Sequence, residues 1–152
     1  MQTNLFHVRH AVMYCDGASS GNPGDSGIGV VIDLTGEGVN HNDKENICQI
    51  SEYIGIATNN VAEYTALIKG LERARALEIE SIEIFMDSEL LVRQISGIYR
   101  VKHENLIPLW TRVMSLLKEF SHYSVAHVPR EKNAVADSLA RRAVAHKKAK
   151  RW

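Results

Sequence analysis

The chain has 152 residues, 45% of them hydrophobic, which suits one compact domain with a real core. Its 18 Lys and Arg balance 18 Asp and Glu, so net charge alone neither points to a polyanionic partner nor excludes one. Apolar runs are short and interrupted by charge, and the amino terminus lacks a basic start and unbroken apolar stretch, so a soluble cytoplasmic protein without a membrane span is expected. Cys15 and Cys48 show no zinc-type spacing and no disulfide density, and both are expected to be reduced and semi-buried.

In chain order, the mostly apolar stretch Val8 to Cys15 predicts a first strand that ends at Asp16, before the turn signal of Gly17. Gly17 to Gly27, rich in Gly, Ser, Asn and Pro, reads as a loop, and Ile28 to Asp33 as a second strand. A polar connection through Gly36 to Glu45 leads to Ile47 to Ala57, where even-spaced Ile50, Ile54 and Ile56 predict a half-buried third strand. The clearest helix follows: Val61, Tyr64, Leu67, Ile68, Leu71, Ala74 and Leu77 mark one face, with Asn60 as expected N-cap and Glu63 three residues later. Ser81 to Met86 reads as a short strand ending at Asp87. Leu90, Leu91 and Ile95 predict a brief helix closed by Gly97. A third helix is expected over Glu104 to Phe120 with Pro108 in its first turn. Tyr123 to Val128 reads as a fifth strand stopped by Pro129, and a last helix starts near Lys132 with Val135, Leu139, Ala143 and Val144 inward. This order predicts an α/β fold, a five-stranded mixed sheet flanked by helices. Residues 1–145 form the expected single domain, and 146–152 a basic tail whose residues His146 to Arg151 are expected to fray. From Pro129 onward eight Lys and Arg face two acids, a local excess that the remainder of the chain offsets.

Four acids fall where this reading puts strand ends and helix starts: Asp16, Glu63, Asp87 and Asp137. Each has an ordinary explanation. Asp16 suits a turn, Glu63 a capping box, Asp87 a helix cap, and Asp137 a solvated helix face. Those explanations leave the neighbouring residues unaccounted for. Asp16, Gly17, Ala18 and Ser19 followed by Gly21, Asn22, Pro23 and Gly24 resemble the opening signature of type 1 ribonucleases H. Thr58 to Tyr64 resembles a second block of that family, Asp87 to Leu90 with Gln94 and Gly97 a third, and His127 to Asn133 leading to Asp137 through Ala140 a fourth.

This resemblance implies a ribonuclease H-like fold and an endonuclease that hydrolyses the RNA strand of an RNA/DNA hybrid. It also implies that Asp16, Glu63, Asp87 and Asp137 hold two ions about 4 Å apart, leaving a 5′-phosphate and a 3′-hydroxyl. Asp16 would bridge both ions, Asp137 would hold the nucleophile side, and Glu63 and Asp87 the leaving-group side. All-oxygen donors select hard ions, so Mg²⁺ with Mn²⁺ as substitute is expected and zinc is not. For the auxiliary histidine of many relatives, His127 and Arg130 compete. The resemblance assigns contacts with the 2′-hydroxyls in the hybrid's minor groove to Gly17, Ser19, Asn22, Thr58, Asn59, Asn60 and Ser88. Glu89 departs from the Gln that many relatives carry. The short segment Ile98 to Trp110 lacks the basic handle of some members, as in compact bacterial and archaeal ones, and Arg141, Arg142, Lys147, Lys148, Lys150 and Arg151 are expected to supply grip instead. The expected partner is the hybrid duplex, bound by a monomer. Transposase, integrase and resolvase cores share clustered acids but generally not the Gly21 to Gly24 and Thr58 to Tyr64 blocks together. A non-catalytic hybrid-binding module would need a missing carboxylate, and none is missing.

Overall fold

In the computed structural model, which describes residues 9–35 and 47–150 (149 and 150 by backbone only), five strands form one mixed sheet. They are β1 (His10–Ser20), β2 (Gly24–Thr35), β3 (Ile47–Ala57), β4 (Ser81–Met86) and β5 (His122–His127), in the order β3-β2-β1-β4-β5. β1, β2 and β3 run antiparallel as a meander, and β4 and β5 run parallel to β1. The helices are α1 (Asn59–Ala76), α2 (Glu89–Ile95), α3 (Ile107–Leu117) and α4 (Ala134–Lys150), the last preceded by a 3₁₀ turn over Arg130–Asn133.

Side-chain alternation along the strands sorts the sequence onto two faces. Ala11, Met13 and Cys15 of β1, Ile28, Val30 and Ile32 of β2, and Ile82, Ile84 and Met86 of β4 are buried on one side. They join Tyr64, Leu67 and Leu71 of α1, Leu91 of α2, and Leu116 and Leu117 of α3 in one core. Full burial of each large side chain contributes roughly 1.5–3 kcal/mol, which fixes α1 against the sheet. On the other face α4 lies across β1, β2 and β3, burying Ala136, Leu139, Ala140, Ala143 and Val144.

Several boundaries differ from the sequence reading. β1 continues through Asp16 to Ser20 and β2 begins at Gly24, so the expected loop Gly17 to Gly27 shrinks to the turn at 21–23. Thr58, not Asn60, caps α1: its hydroxyl accepts from the Val61 N–H at 3.2 Å, and Glu63 lies beyond the first turn. Ser88 caps α2 in the same way, accepting from Leu91 at 3.2 Å. α3 is shorter at both ends than Glu104 to Phe120, and β5 is shifted one residue toward the amino terminus. Val135 points outward at 56% exposure, because the inward stripe of α4 begins at Ala136. His146 to Lys150 extend α4 rather than fray, and Cys15 is fully buried while Cys48 is half-buried, both free. Val8, the connection Gly36 to Glu45, and Arg151 fall outside the described residues. Eleven residues of turn and irregular backbone join α2 to α3, with no helix in the place of a basic handle. Among the described residues no helix is long and apolar enough to cross a membrane.

Candidate active site

Asp16 stands in the middle of β1, not at its end, opposite Gly29 of β2. The parallel β1–β4 register pairs Tyr14 with Phe85, and two residues onward come Asp16, still within β1, and Asp87, just past the end of β4. Glu63 arrives from α1 because Gly17 has no side chain: a Cβ there would stand 2.4 Å from the Glu63 nitrogen and 2.3 Å from the Ala62 carbonyl carbon. Gly29 does the same for α4, since its Cβ would lie 2.0 Å from the Ala136 carbonyl oxygen. Two glycines, Gly17 on β1 and Gly29 on β2 opposite Asp16, thus let helices on opposite faces close onto the strand pair around Asp16.

Carboxylate oxygens of Asp16, Glu63 and Asp87 all lie within 4.8 Å of one another. Asp137 joins them through a hydrogen bond with Asp16, while its other contact is an ion pair with Arg141 at 2.9 Å. Burial, then the charge of Asp87 and the bond with Asp137, pushes the Asp16 carboxyl up to about 9. Burial also lifts Glu63 to about 7, against the opposing pull of hydrogen bonds from Ser88 and Asn59 and the charge of Arg130. Burial and the neighbouring carboxylates likewise raise the Cys15 thiol, which makes it inert. A cluster of oxygen donors that retains protons near neutral pH calls for a compensating positive charge, and this donor set suits a hard divalent cation.

The carboxylates open into a cavity of about 580 Å³ whose rim includes Gly17, Ser19, Asn59, Arg130 and Lys148. The expected substrate contacts divide. Gly17 gives its N–H to Asp16 Oδ1 at 3.0 Å, and the Ser19 hydroxyl is directed at the carbonyls of Ala57, at 2.9 Å, and Gly21. Asn59 reaches Glu63 at 3.5 Å, and Asn22 accepts from the Asn59 N–H at 3.1 Å. Asn22, Thr58, Asn59 and Asn60 border a second cavity of about 330 Å³ with His103 and Asn105. Ser88 borders neither; it caps α2 and bonds Glu63. Arg130 lines the main cavity, whereas His127, exposed at the end of β5, does not. Glu89 is held by Arg93 at 2.6 Å.

Residues 14–143 match the reverse transcriptase-like family. Bifunctional protein Rv2228c of Mycobacterium tuberculosis is 39% identical over 129 residues, 85% of this chain and 34% of that one. Ribonuclease HI of Halobacterium salinarum is 39% identical over 131 residues, 86% of this chain and 62% of that one. The crystal structure of RNase H1 from that archaeon aligns with a TM-score of 0.81 at 38% identity, over 90% of this chain and 98% of that chain. The chain belongs to the type 1 ribonuclease H family. A further ribonuclease H structure, LC11-RNase H1 in complex with RNA/DNA hybrid, aligns with a TM-score of 0.78 at 40% identity, over 90% of this chain and 98% of that chain. The chain spans about a third of the length of the mycobacterial relative.

Two residues of this ribonuclease H site, Asn133 and Ser20, escaped the sequence reading as site residues, and Arg141, expected only to grip substrate, has a second contact within the site. Asn133 donates from Nδ2 to the Cys15 carbonyl at 3.0 Å, tying the turn before α4 to β1 one residue before Asp16. Arg141 pairs with Asp137, which the i,i+4 spacing of opposite charges on a helix does signal. Ser20 lines the cavity and receives a hydrogen bond from Lys148, and no sequence signal connects residues so far apart.

Proposed function

We propose that this ribonuclease H family member is an endonuclease that hydrolyses the RNA strand of RNA/DNA hybrids, leaving 5′-phosphate and 3′-hydroxyl ends. The observation that carries this reading is the convergence of Asp16, Glu63 and Asp87 within 4.8 Å in an open cavity. The complex of LC11-RNase H1 with RNA/DNA hybrid supports the choice of substrate.

Asp16, Glu63, Asp87 and Asp137 would hold two Mg²⁺ ions, with Mn²⁺ as substitute. When bound, such ions supply Lewis-acid activation of water and neutralise charge on the scissile phosphate. The chain's own groups do the rest. Ser88 and Asn59 orient Glu63, and Arg141 orients Asp137. Arg130 brings a permanent positive charge to the rim, which suits it better than His127 to approach a phosphate oxygen. Gly17, Ser19 and Asn59 at the cavity, with Asn22, Thr58 and Asn60 beside it, offer amides and hydroxyls to the 2′-hydroxyls of the minor groove. Residues 1–145 form the catalytic domain, with grip supplied from within the basic stretch 146–152, and the protein acts as a cytoplasmic monomer.

A strand-labelled digestion of hybrid, double-stranded RNA, double-stranded DNA and a chimeric duplex tests this, with and without Mg²⁺. Cleavage of the RNA strand of the hybrid only when Mg²⁺ is present is expected. An intact hybrid, or cutting of double-stranded DNA, overturns the proposal.

A further inference from the structure

The basic residues of α4 do not form one undifferentiated tail. Asp137, Arg141, Ala145 and Lys148 recur at the spacing of one helical face, and all four line the cavity that holds the carboxylates. Lys147 points elsewhere. Its ammonium lies 5.4 Å from the centre of the Tyr53 ring, and with Arg142 and His146 it lines a separate groove of about 410 Å³ beside β3.

On the catalytic side the cavity is a trench. One wall is β1 from Gly17 to Ser20 and the other is α4 from Asp137 to Lys148. At the helical rise, Lys148 stands roughly 16 Å along the axis from Asp137, a few nucleotides of strand. Arg141 lies near the carboxylate end, and Lys148 closes the far end by donating to the Ser20 hydroxyl. That partner is neutral, and a phosphate oxygen makes a stronger, charge-assisted bond with an ammonium group. Between the two cations the walls carry Gly17, Ala18, Ser19, Val144 and Ala145, none bulkier than valine and none charged, so a sugar-phosphate backbone can lie between them.

We infer that Arg141 and Lys148 form a phosphate track for the RNA strand leading away from the scissile site, and that Lys148 exchanges Ser20 for a phosphate a few nucleotides distant. This deepens the proposed function and rests on it. Lys147 and Arg142, facing the β3 groove, take no part.

The test compares Lys148→Gln with Lys147→Gln, which removes the same charge one residue away but from the other face. Both are made on an Asp16→Asn background that keeps the strand intact, and binding to a labelled hybrid is followed by fluorescence anisotropy across a salt series. Lys148→Gln should weaken binding about threefold and flatten the log-log salt slope by about 0.9, the signature of one lost phosphate contact. Lys147→Gln should leave the slope as it is. Single methylphosphonates are then walked along the RNA strand on both sides of the cleavage site. One position a few nucleotides away should weaken binding by the parent and not by Lys148→Gln. Lys148→Arg should restore the parental profile. Equal slopes for the two glutamine variants, or identical methylphosphonate profiles for parent and Lys148→Gln, overturn the inference. Failure of the otherwise unaltered protein to cut hybrid with Mg²⁺ instead overturns the proposed function, so the two failures are separable.

Discussion

Asp16 is placed where burial and like charge act in the same direction. Its carboxyl rises to about 9, against an ordinary value of 3.8, so between those limits the folded chain binds more protons than the unfolded one. The sign follows: without metal, the contribution of Asp16 to stability is fully present below the unfolded value and is lost as pH rises through the folded one. Melting in EDTA should therefore show Tm declining from pH 5 to 9, and Asp16→Asn should flatten the decline. Relief of that repulsion and desolvation, on the order of 2 kcal/mol, corresponds to roughly 4 to 8 °C in a domain of this size. The same variant should lose more than about 100-fold in hybrid cleavage, measured at saturating Mg²⁺. Because Asp16 and Glu63 must shed protons on binding a cation, Mg²⁺ affinity measured by calorimetry should rise steadily between pH 6 and 9. Ser88 has two tasks, capping α2 and bonding Glu63. Ser88→Ala should cost about 0.5–2 kcal/mol in denaturant unfolding and weaken Mg²⁺ binding by about 10- to 100-fold. The acids themselves were legible in the sequence because four residue blocks surround them. The role of Ser88 was not, since a serine before a helix reads equally well as a cap or a ligand contact.

Between elements, the decisive contacts are made where side chains are missing. Gly17 and Gly29 admit backbone atoms of α1 and α4 at distances that no Cβ tolerates. Gly29→Ala should destabilise the fold by on the order of 3 kcal/mol in denaturant unfolding, because the Ala136 carbonyl is backbone and must move with its helix. Gly17→Ala should in addition part Glu63 from Asp16. Its Mg²⁺ affinity should fall even at temperatures where the variant remains fully folded, and an unchanged affinity would show that α1 is positioned by other contacts. Composition misled the sequence reading here. Gly, Ser and Asn between Gly17 and Gly27 mark turns when read locally, yet most of them lie in paired strands: Gly17 and Gly27 serve helix packing, and only Gly21 and Gly24 serve the chain reversal. By contrast the bounds of β3 and β4 matched residue for residue; β4 alternates by burial as expected, whereas in β3 Ile56, expected on the half-buried face with Ile50 and Ile54, is 68% exposed beyond the pairing irregularity at Ser26/Gly27.

For the molecule as a whole, strand order and helix placement follow from a pattern the sequence displays plainly: three strands in succession, then strands alternating with helices. What it does not display is how charge is distributed in space. A net charge of zero conceals a carboxylate pocket whose opposite wall is a cationic helix. Truncation of His146 to Trp152 should weaken hybrid binding and flatten its salt dependence, with secondary structure by circular dichroism reduced only by the lost helical end. The β1–β2 hairpin extends four residues past Asp16, with Ser19 opposite Ser26 and Ser20 opposite Asp25. The ledge on which an incoming strand would rest is therefore already laddered before any ligand arrives. Its amides should resist deuterium exchange as firmly as those of a sheet interior, and the ordering entropy that a floppy loop surrenders at each encounter is absent here.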